Sequence, residues 1–130
     1  MKFLYKKSLL GVSRPIIPVQ LSLGDHRIDY EVLIDSGADV SLFDAQVADA
    51  LGINLKECDV ADIRGLTHHS QPCYLHPVTI YVGAIPLFLQ VGFIHDTGSS
   101  YGIVGQKGFF EAFKIAFDRK NQEIALTTHV

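Results

Sequence analysis

An all-β domain with one or two short helices is the fold class this sequence predicts, on three observations. The apolar runs are short and rich in Val, Ile, Leu, Phe and Tyr. Gly and Pro mark the ends of those runs, where turns reverse the chain. Only two stretches leave the strand pattern for a helical period, and both are brief.

Taken in order, "IIPVQLSL" (16–23) alternates apolar and polar residues and ends at Gly24-Asp25, a hairpin turn, after which "RIDYEVLI" (27–34) runs back. "VSLF" (40–43) reads as a short buried strand. In "DAQVADALG" (44–52) Val47, Ala48 and Leu51 share one face, Asp44 suits the N-cap and Gly52 the position just past the C-terminus, which defines a short helix. "DIRGLTHHSQPCYLH" (62–76) reads as two extended pieces around a polar centre, followed by "PVTIYVG" (77–83) and "IPLFLQVGFI" (85–94). After a polar loop, "GIVGQKGFFEAF" (102–113) places a small helix after Gly108. "KIAFD" and "EIALTTH" flank the turn "RKNQ" as a terminal hairpin. Phe109, Phe110 and Phe113 stand at helical spacing and read as core, not as a cofactor-stacking cluster.

Composition narrows the function classes. A chain of 130 residues, 48% hydrophobic, makes one domain with its own core; residues 1–13 read as an N-terminal extension and 14–130 as the domain. The net charge of −3 offers no basic field for nucleic acid, and Lys2, Lys6 and Lys7 are too few to change that. "MKFLYKKSLLGVSRP" imitates a signal peptide, but its "LLGV" falls short of the ~7–15 apolar residues required. No run approaches the ~18 of a membrane span. No membrane partner and a cytoplasmic location are therefore expected. Cys58 and Cys73 match no metal signature and read as free thiols, with a facing pair across a hairpin as the alternative. His68 and His69 are adjacent on an extended segment and point to opposite faces, so with His76 they make a poor metal site. No metal and no cofactor are expected.

An internal echo runs through the chain. Pro18-Val19-Gln20-Leu21-Ser22-Leu23-Gly24 resembles Pro77-Val78-Thr79-Ile80-Tyr81-Val82-Gly83 at an offset of 59 residues, and Val32 and Val91 keep that offset. Each copy then reaches an Asp-[Ser/Thr]-Gly triplet. Two similar β-rich halves sharing one core are expected.

The two triplets differ in setting. Asp35 is preceded by Val32-Leu33-Ile34 and followed, after Ser36, by Gly37-Ala38 and by Val40 and Leu42-Phe43. A carboxylate there needs hydrogen bonds, because desolvation disfavours the anion. Ser36 supplies a hydroxyl and Gly37 allows backbone N–H groups to approach. A functional acid and an Asp opening a tight turn are both consistent with that pattern. Asp96, between His95 and "TGSS", has ordinary hydrated turn chemistry; the echo nevertheless sets it at the border of the same cleft.

"LIDSGADVSLF" resembles the active-site turn of retropepsin-like aspartic proteases: two apolar residues, Asp-[Ser/Thr]-Gly-Ala-Asp, then an apolar stretch. "GIVGQKGFFEAFKIAFDRKNQEIAL" resembles the family's second landmark and last hairpin, "RPIIPVQL" its first strand in prokaryotic members, and "DIRGLTHHSQPCYLHPVTIYVG" stands where the family has its flap. The resemblance covers about residues 14 to 127. It implies a retropepsin-like acid-protease barrel and an aspartic endopeptidase, in which one ionised and one neutral carboxyl share a proton around a water. Because one chain carries one well-placed motif, it implies a homodimer with Asp35 from each copy, acting on a polypeptide substrate. By the same resemblance Asp35, Ser36 and Gly37 are catalytic, Ser36 bracing the two turns. Ala38, Asp39 and Val104, with Gly65, Leu66 and Thr67 of a flap tip running from Gly65 to Ser70, line the substrate site, and the echo adds Asp96 at its border. Two departures stand out: Gln106 where retroviral members carry Arg, within reach of Asp39 for a hydrogen bond, and the bulky "LTHH" flap. They give weight to an alternative, a non-catalytic peptide-binding or assembly module on the same fold; a further alternative is a monomeric hydrolase pairing Asp35 with Asp96.

Overall fold

The computed structural model describes residues 1–8, 10–64 and 69–129. Its strands are β1 (Lys2–Leu4), β2 (Lys6–Lys7), β3 (Ser13–Arg14), β4 (Ile16–Leu23), β5 (His26–Ile34), β6 (Leu42–Asp44), β7 (Asp59–Arg64), β8 (Ser70–Val82), β9 (Ile85–Ile94), β10 (Gly102–Val104), β11 (Phe113–Asp118) and β12 (Glu123–Thr128). One α-helix, α1 (Ala45–Ala50), follows β6, and a single helical turn spans Leu55–Glu57. The all-β expectation holds.

Strands β4-β5-β10-β6-β9-β8-β7 form one sheet in that order, and β4 also pairs with β8. That last pairing closes six of the strands into a barrel, with β7 added outside it. Closure satisfies backbone groups that an open sheet would leave at its edges. The barrel is filled by alternate side chains of its strands: Ile17, Leu21, Val32, Phe43, Ile80, Val82, Phe93 and Val104 are all essentially inaccessible to water.

The echo has a direct structural meaning. Gly24 and Gly83 occupy the left-handed region at φ +57° and +59°, and each closes a hairpin, Leu23 opposite His26 and Val82 opposite Ile85. Where the two hairpins meet, Leu21 pairs with Ile80, its own counterpart at the 59-residue offset. At the other end β5 runs parallel to β10 and β9 parallel to β6, while β6 and β10 touch at Leu42 and Ile103. Two similar halves therefore interlock around one core, each half donating its short strand to the other's hairpin.

Several details differ from expectation. The two extended pieces expected in 62–76 are β7 and the start of β8, but no strand boundary falls at Pro77: β8 runs thirteen residues through Pro72 and Pro77. Prolines are tolerated because each sits where the strand has a partner on one side only, Pro72 before β9 begins to pair and Pro77 between the stretches bonded to β7 and β4. The small helix expected after Gly108 is a single wide turn over Gln106–Phe110, broken by Lys107 (ψ 121°) and by Gly108 at φ +88°. Phe109 and Phe113 are core residues with rings 5.3 Å apart. Residues 1–13, read as an extension, contribute β1, which pairs with β12 in the three-stranded sheet β1-β12-β11, and β2, which pairs with β3. Cys73 is buried opposite Ala61, so Cys58 and Cys73 do not face each other and both thiols are free.

Candidate active site

The Asp35 turn is built by leaving one strand and being held from behind by another. β5 ends at Ile34, whose N–H donates to the Pro15 carbonyl at 2.9 Å. The parallel ladder with β10 then carries one step further, because the Asp35 N–H donates to the Val104 carbonyl at 3.0 Å. Beyond it the chain folds into a tight turn. Ala38 N–H donates to the Asp35 carbonyl at 3.2 Å, and Gly37 N–H donates to Asp35 Oδ1 at 2.9 Å. A Cβ on residue 37 would stand 3.3 Å from that oxygen, so the glycine keeps the space beside the carboxylate free. Asp35 is half-buried, while Ser36, Gly37 and Asp39 are exposed. Among the described residues Gly37 N–H is the donor to Oδ1, and Oδ2 accepts no hydrogen bond.

The segment after β10 locks this turn in place. Gln106 and Lys107 donate their backbone N–H groups to the carbonyls of Ala38 (2.8 Å) and Asp39 (2.9 Å). Gly105 lies so close behind that a Cβ there would meet Ala38 O at 2.4 Å and Val40 O at 2.8 Å. Its N–H donates to Ser41 Oγ at 3.3 Å, and Ser41 is completely buried. Ser41 was not anticipated as a site residue; the signal available was a hydroxyl placed between apolar Val40 and Leu42, where burial demands a partner.

The anticipated residues fare differently. Asp35, Ser36, Gly37, Ala38 and Asp39 are together in this turn. Val104, expected at the substrate, is fully buried in the core; what it offers the site is its carbonyl, and half-buried Ile103 is the member of β10 that faces the other way. Gln106 does not reach Asp39 with its side chain but donates Nε2 to the Ser36 carbonyl at 2.8 Å. Where a flap is expected, β7 and the start of β8 pair from Asp59 opposite Leu75 to Arg64 opposite Ser70. Its tip residues Gly65, Leu66 and Thr67, with His68, lie outside the described residues.

Asp96 belongs to another neighbourhood. It adopts φ +57° in an exposed loop that Asp44 anchors: Asp44 Oδ2 accepts from Thr97 N–H (3.1 Å) and Thr97 Oγ1 (2.9 Å), while Oδ1 accepts from Gln46 N–H (2.9 Å) as the N-cap of α1. These bonds, the Gln46 N–H foremost and then the two from Thr97, hold the Asp44 carboxyl below the usual carboxylate range. Burial, and secondarily the Asp44 charge, pushes the Tyr30 hydroxyl up. Asp44, Tyr30, His95 and Asp96 line a cavity of about 820 Å³ beside α1, and none of residues 35–39 lines it. Among the described residues no three His, Cys, Asp or Glu side chains converge as a metal site would require, and no helix is long and apolar enough to cross a membrane.

No family model and no curated protein sequence matches the chain. Solved structures do. The chain is similar to a retropepsin-like aspartic protease from Rickettsia conorii at 14% identity, covering 97% of this chain and 90% of that one, with a TM-score of 0.66. It is similar to the retroviral protease-like domain of Ddi1 from Leishmania major at 15% identity, with 89% and 95% covered and a TM-score of 0.62. It is also similar to EIAV protease complexed with the inhibitor HBY-793, at 20% identity, 72% and 82% covered, and a TM-score of 0.58. The fold is thus the retropepsin-like one, reached by a sequence that shares little with any of the three.

Proposed function

We propose that the chain is an aspartic endopeptidase that acts as a homodimer, with Asp35 of each protomer forming the catalytic pair. The observation that carries this reading is the half-buried Asp35 carboxyl on a turn held from behind by β10 and the segment after it, with exposed Ser36 and Gly37 beside it. The retropepsin-like fold supports it, as does the seat of Asp96 on a cavity that the Asp35 turn does not line. A twofold axis beside Asp35 sets the same turn against itself, as an isologous interface does.

The chemistry follows from two carboxyls near one water. Like charges so close cannot both ionise, so one Asp35 is ionised and the other protonated, and the two titrate as a pair. The ionised one takes a proton from water as the water oxygen bonds to the peptide carbonyl carbon; the neutral one gives its proton to the carbonyl oxygen. Collapse of the tetrahedral diol breaks the C–N bond as the leaving nitrogen takes a proton from the first carboxyl, while a diol hydroxyl returns its proton to the second carboxylate and becomes the carbonyl of the product acid, which restores one ionised and one neutral Asp35. With Oδ1 held by Gly37 N–H, Oδ2 is the oxygen left to work on the water. The β7–β8 hairpin supplies the arms of a flap suited to covering an extended peptide.

Asp35→Asn tests the assignment. Loss of cleavage across a peptide library, with unchanged circular dichroism and thermal midpoint, is the expected result. Peptide binding without cleavage by the unaltered chain at every pH identifies a binding module instead.

A further inference from the structure

We propose that a basic cavity on the Asp35 side of β5 is a subsite for an acidic side chain of the peptide, which makes acidic peptides the substrate class; the inference rests on the endopeptidase reading above. Alternation along β5 buries Val32 and Ile34 and turns Glu31, Leu33 and Asp35 to the opposite face. On that face lies a cavity of about 360 Å³ whose lining includes Lys6, Lys7, Arg14, Ile16, Glu31 and Tyr101. Ile16 pairs with Leu33, which ties the cavity wall to the strand leading into Asp35.

The charge here is opposite to that of the chain. Three cations meet one carboxylate, in a protein of net charge −3. Lys6 is paired with Glu31. Arg14 is positioned but not neutralised: its Nη1 donates to the Tyr101 hydroxyl and its guanidinium lies 5.5 Å from the centroid of that ring. Tyr101 is in turn fixed by Ser99, whose Oγ donates to its carbonyl at 2.9 Å. Among the described residues neither Arg14 nor Lys7 has a carboxylate partner. A pre-positioned guanidinium and an uncompensated ammonium in a concave site match a carboxylate by charge and by hydrogen-bond geometry.

Spacing says where along the peptide the acid belongs. Glu31 stands four residues before Asp35, about 13 Å along an extended strand, and a peptide lying alongside advances by the same amount per residue. The acidic side chain therefore falls three to four residues from the cleaved bond. Twofold symmetry gives one such cavity per protomer, so the preference holds on either side of that bond.

Matched peptides, acetylated and amidated so that terminal charges play no part, carry Glu, Gln or Lys at that position. For the unaltered chain kcat/KM is expected to be about fivefold higher for Glu than for Gln and lowest for Lys, the margin shrinking at roughly 0.5 M salt. Lys7→Glu should invert the order, and Lys7→Gln should narrow it. Equal rates for Glu and Gln, or a ratio untouched by both variants, overturn the subsite while leaving the protease reading intact. If the unaltered chain cuts none of the peptides, the protease reading fails, and fluorescence anisotropy decides the subsite: tighter binding of the Glu peptide than its Gln twin sustains it, equal binding overturns it.

Discussion

The side-chain amide of Gln106 donates to the backbone carbonyl of Ser36 at 2.8 Å, joining two segments seventy residues apart. With the backbone N–H bonds from Gln106 to Ala38 and from Lys107 to Asp39, it makes the segment after β10 a clamp on the Asp35 turn. A charged guanidinium is not needed for this: one N–H donor of the right reach fixes the turn.

Removing the donor should loosen the turn more than the fold. Gln106→Leu is expected to lower stability by about 1 kcal/mol. Under the protease reading it should lower kcat by about ten- to a hundredfold, since small displacements of a reacting group are costly. Gln106→Arg keeps N–H donors and should retain activity. Urea unfolding and steady-state kinetics on both variants check this.

Gly105 should tolerate no side chain. A Cβ at 2.4 Å from Ala38 O and 2.8 Å from Val40 O meets backbone on both sides, which cannot yield without opening the Asp35 turn. Gly105→Ala is expected to destabilise by about 3 kcal/mol or more. Gly98→Ala, where a Cβ meets nothing within 4 Å but φ is +64°, should cost about 1 kcal/mol. Chemical denaturation of the two variants reads the difference.

Acid stability should depend on Asp44. Its folded pKa lies below the ordinary value, chiefly through the Gln46 N–H and then Thr97. A lowered folded value means its contribution is fully present above the unfolded pKa near ~3.9 and is lost as pH falls through the folded value. Asp44→Ala is therefore expected to lower stability at neutral pH by about 1 kcal/mol and to flatten the acid limb of the stability profile. Thermal midpoints measured between neutral pH and strongly acidic pH check both effects.

Thiol chemistry should separate the two cysteines. Cys73 is fully buried, with its Sγ filling the space that a Cβ on Gly92 would need, 2.2 Å away. Burial pushes both thiols up, so it is access that separates them: Cys58 is half-buried and Cys73 fully enclosed. In a thiol-reagent titration of the native chain only Cys58 is expected to react, Cys73 following on unfolding. Gly92→Ala is expected to be strongly destabilising, with Cys73→Ala restoring part of the loss.

Much of this architecture is legible in local chemistry. Gly24-Asp25 marks a hairpin because only a left-handed residue closes a two-residue turn there, and the repeat of that pattern at Gly83 announces the second hairpin. Asp44 and Gly52 bracket α1 as cap chemistry requires, and the apolar flanks of Asp35 with Ile103-Val104-Gly105 mark the turn and its backing strand. What was not legible depends on pairing across the chain. Pro77 looks like a strand boundary until the partners of β8 show a gap on one side. Val104 looks like a cleft residue because its neighbours are, yet the parallel ladder to Ile34 turns its side chain to the core. Ser41 and the Gln106–Ser36 bond join segments whose proximity no local pattern encodes. Residues 2–4 carry no strand signature of their own and gain their conformation from Glu123–Ala125.

The central claim is that each protomer carries half of a catalytic pair. It is tested most directly by mixing unaltered and Asp35→Asn chains, allowing subunits to exchange, and measuring cleavage at constant total protein. If two Asp35 carboxylates are required, activity follows the square of the unaltered fraction, falling to about a quarter in an equal mixture. A linear fall, with about half the activity in that mixture, would mean that one chain holds a complete site and would contradict the account.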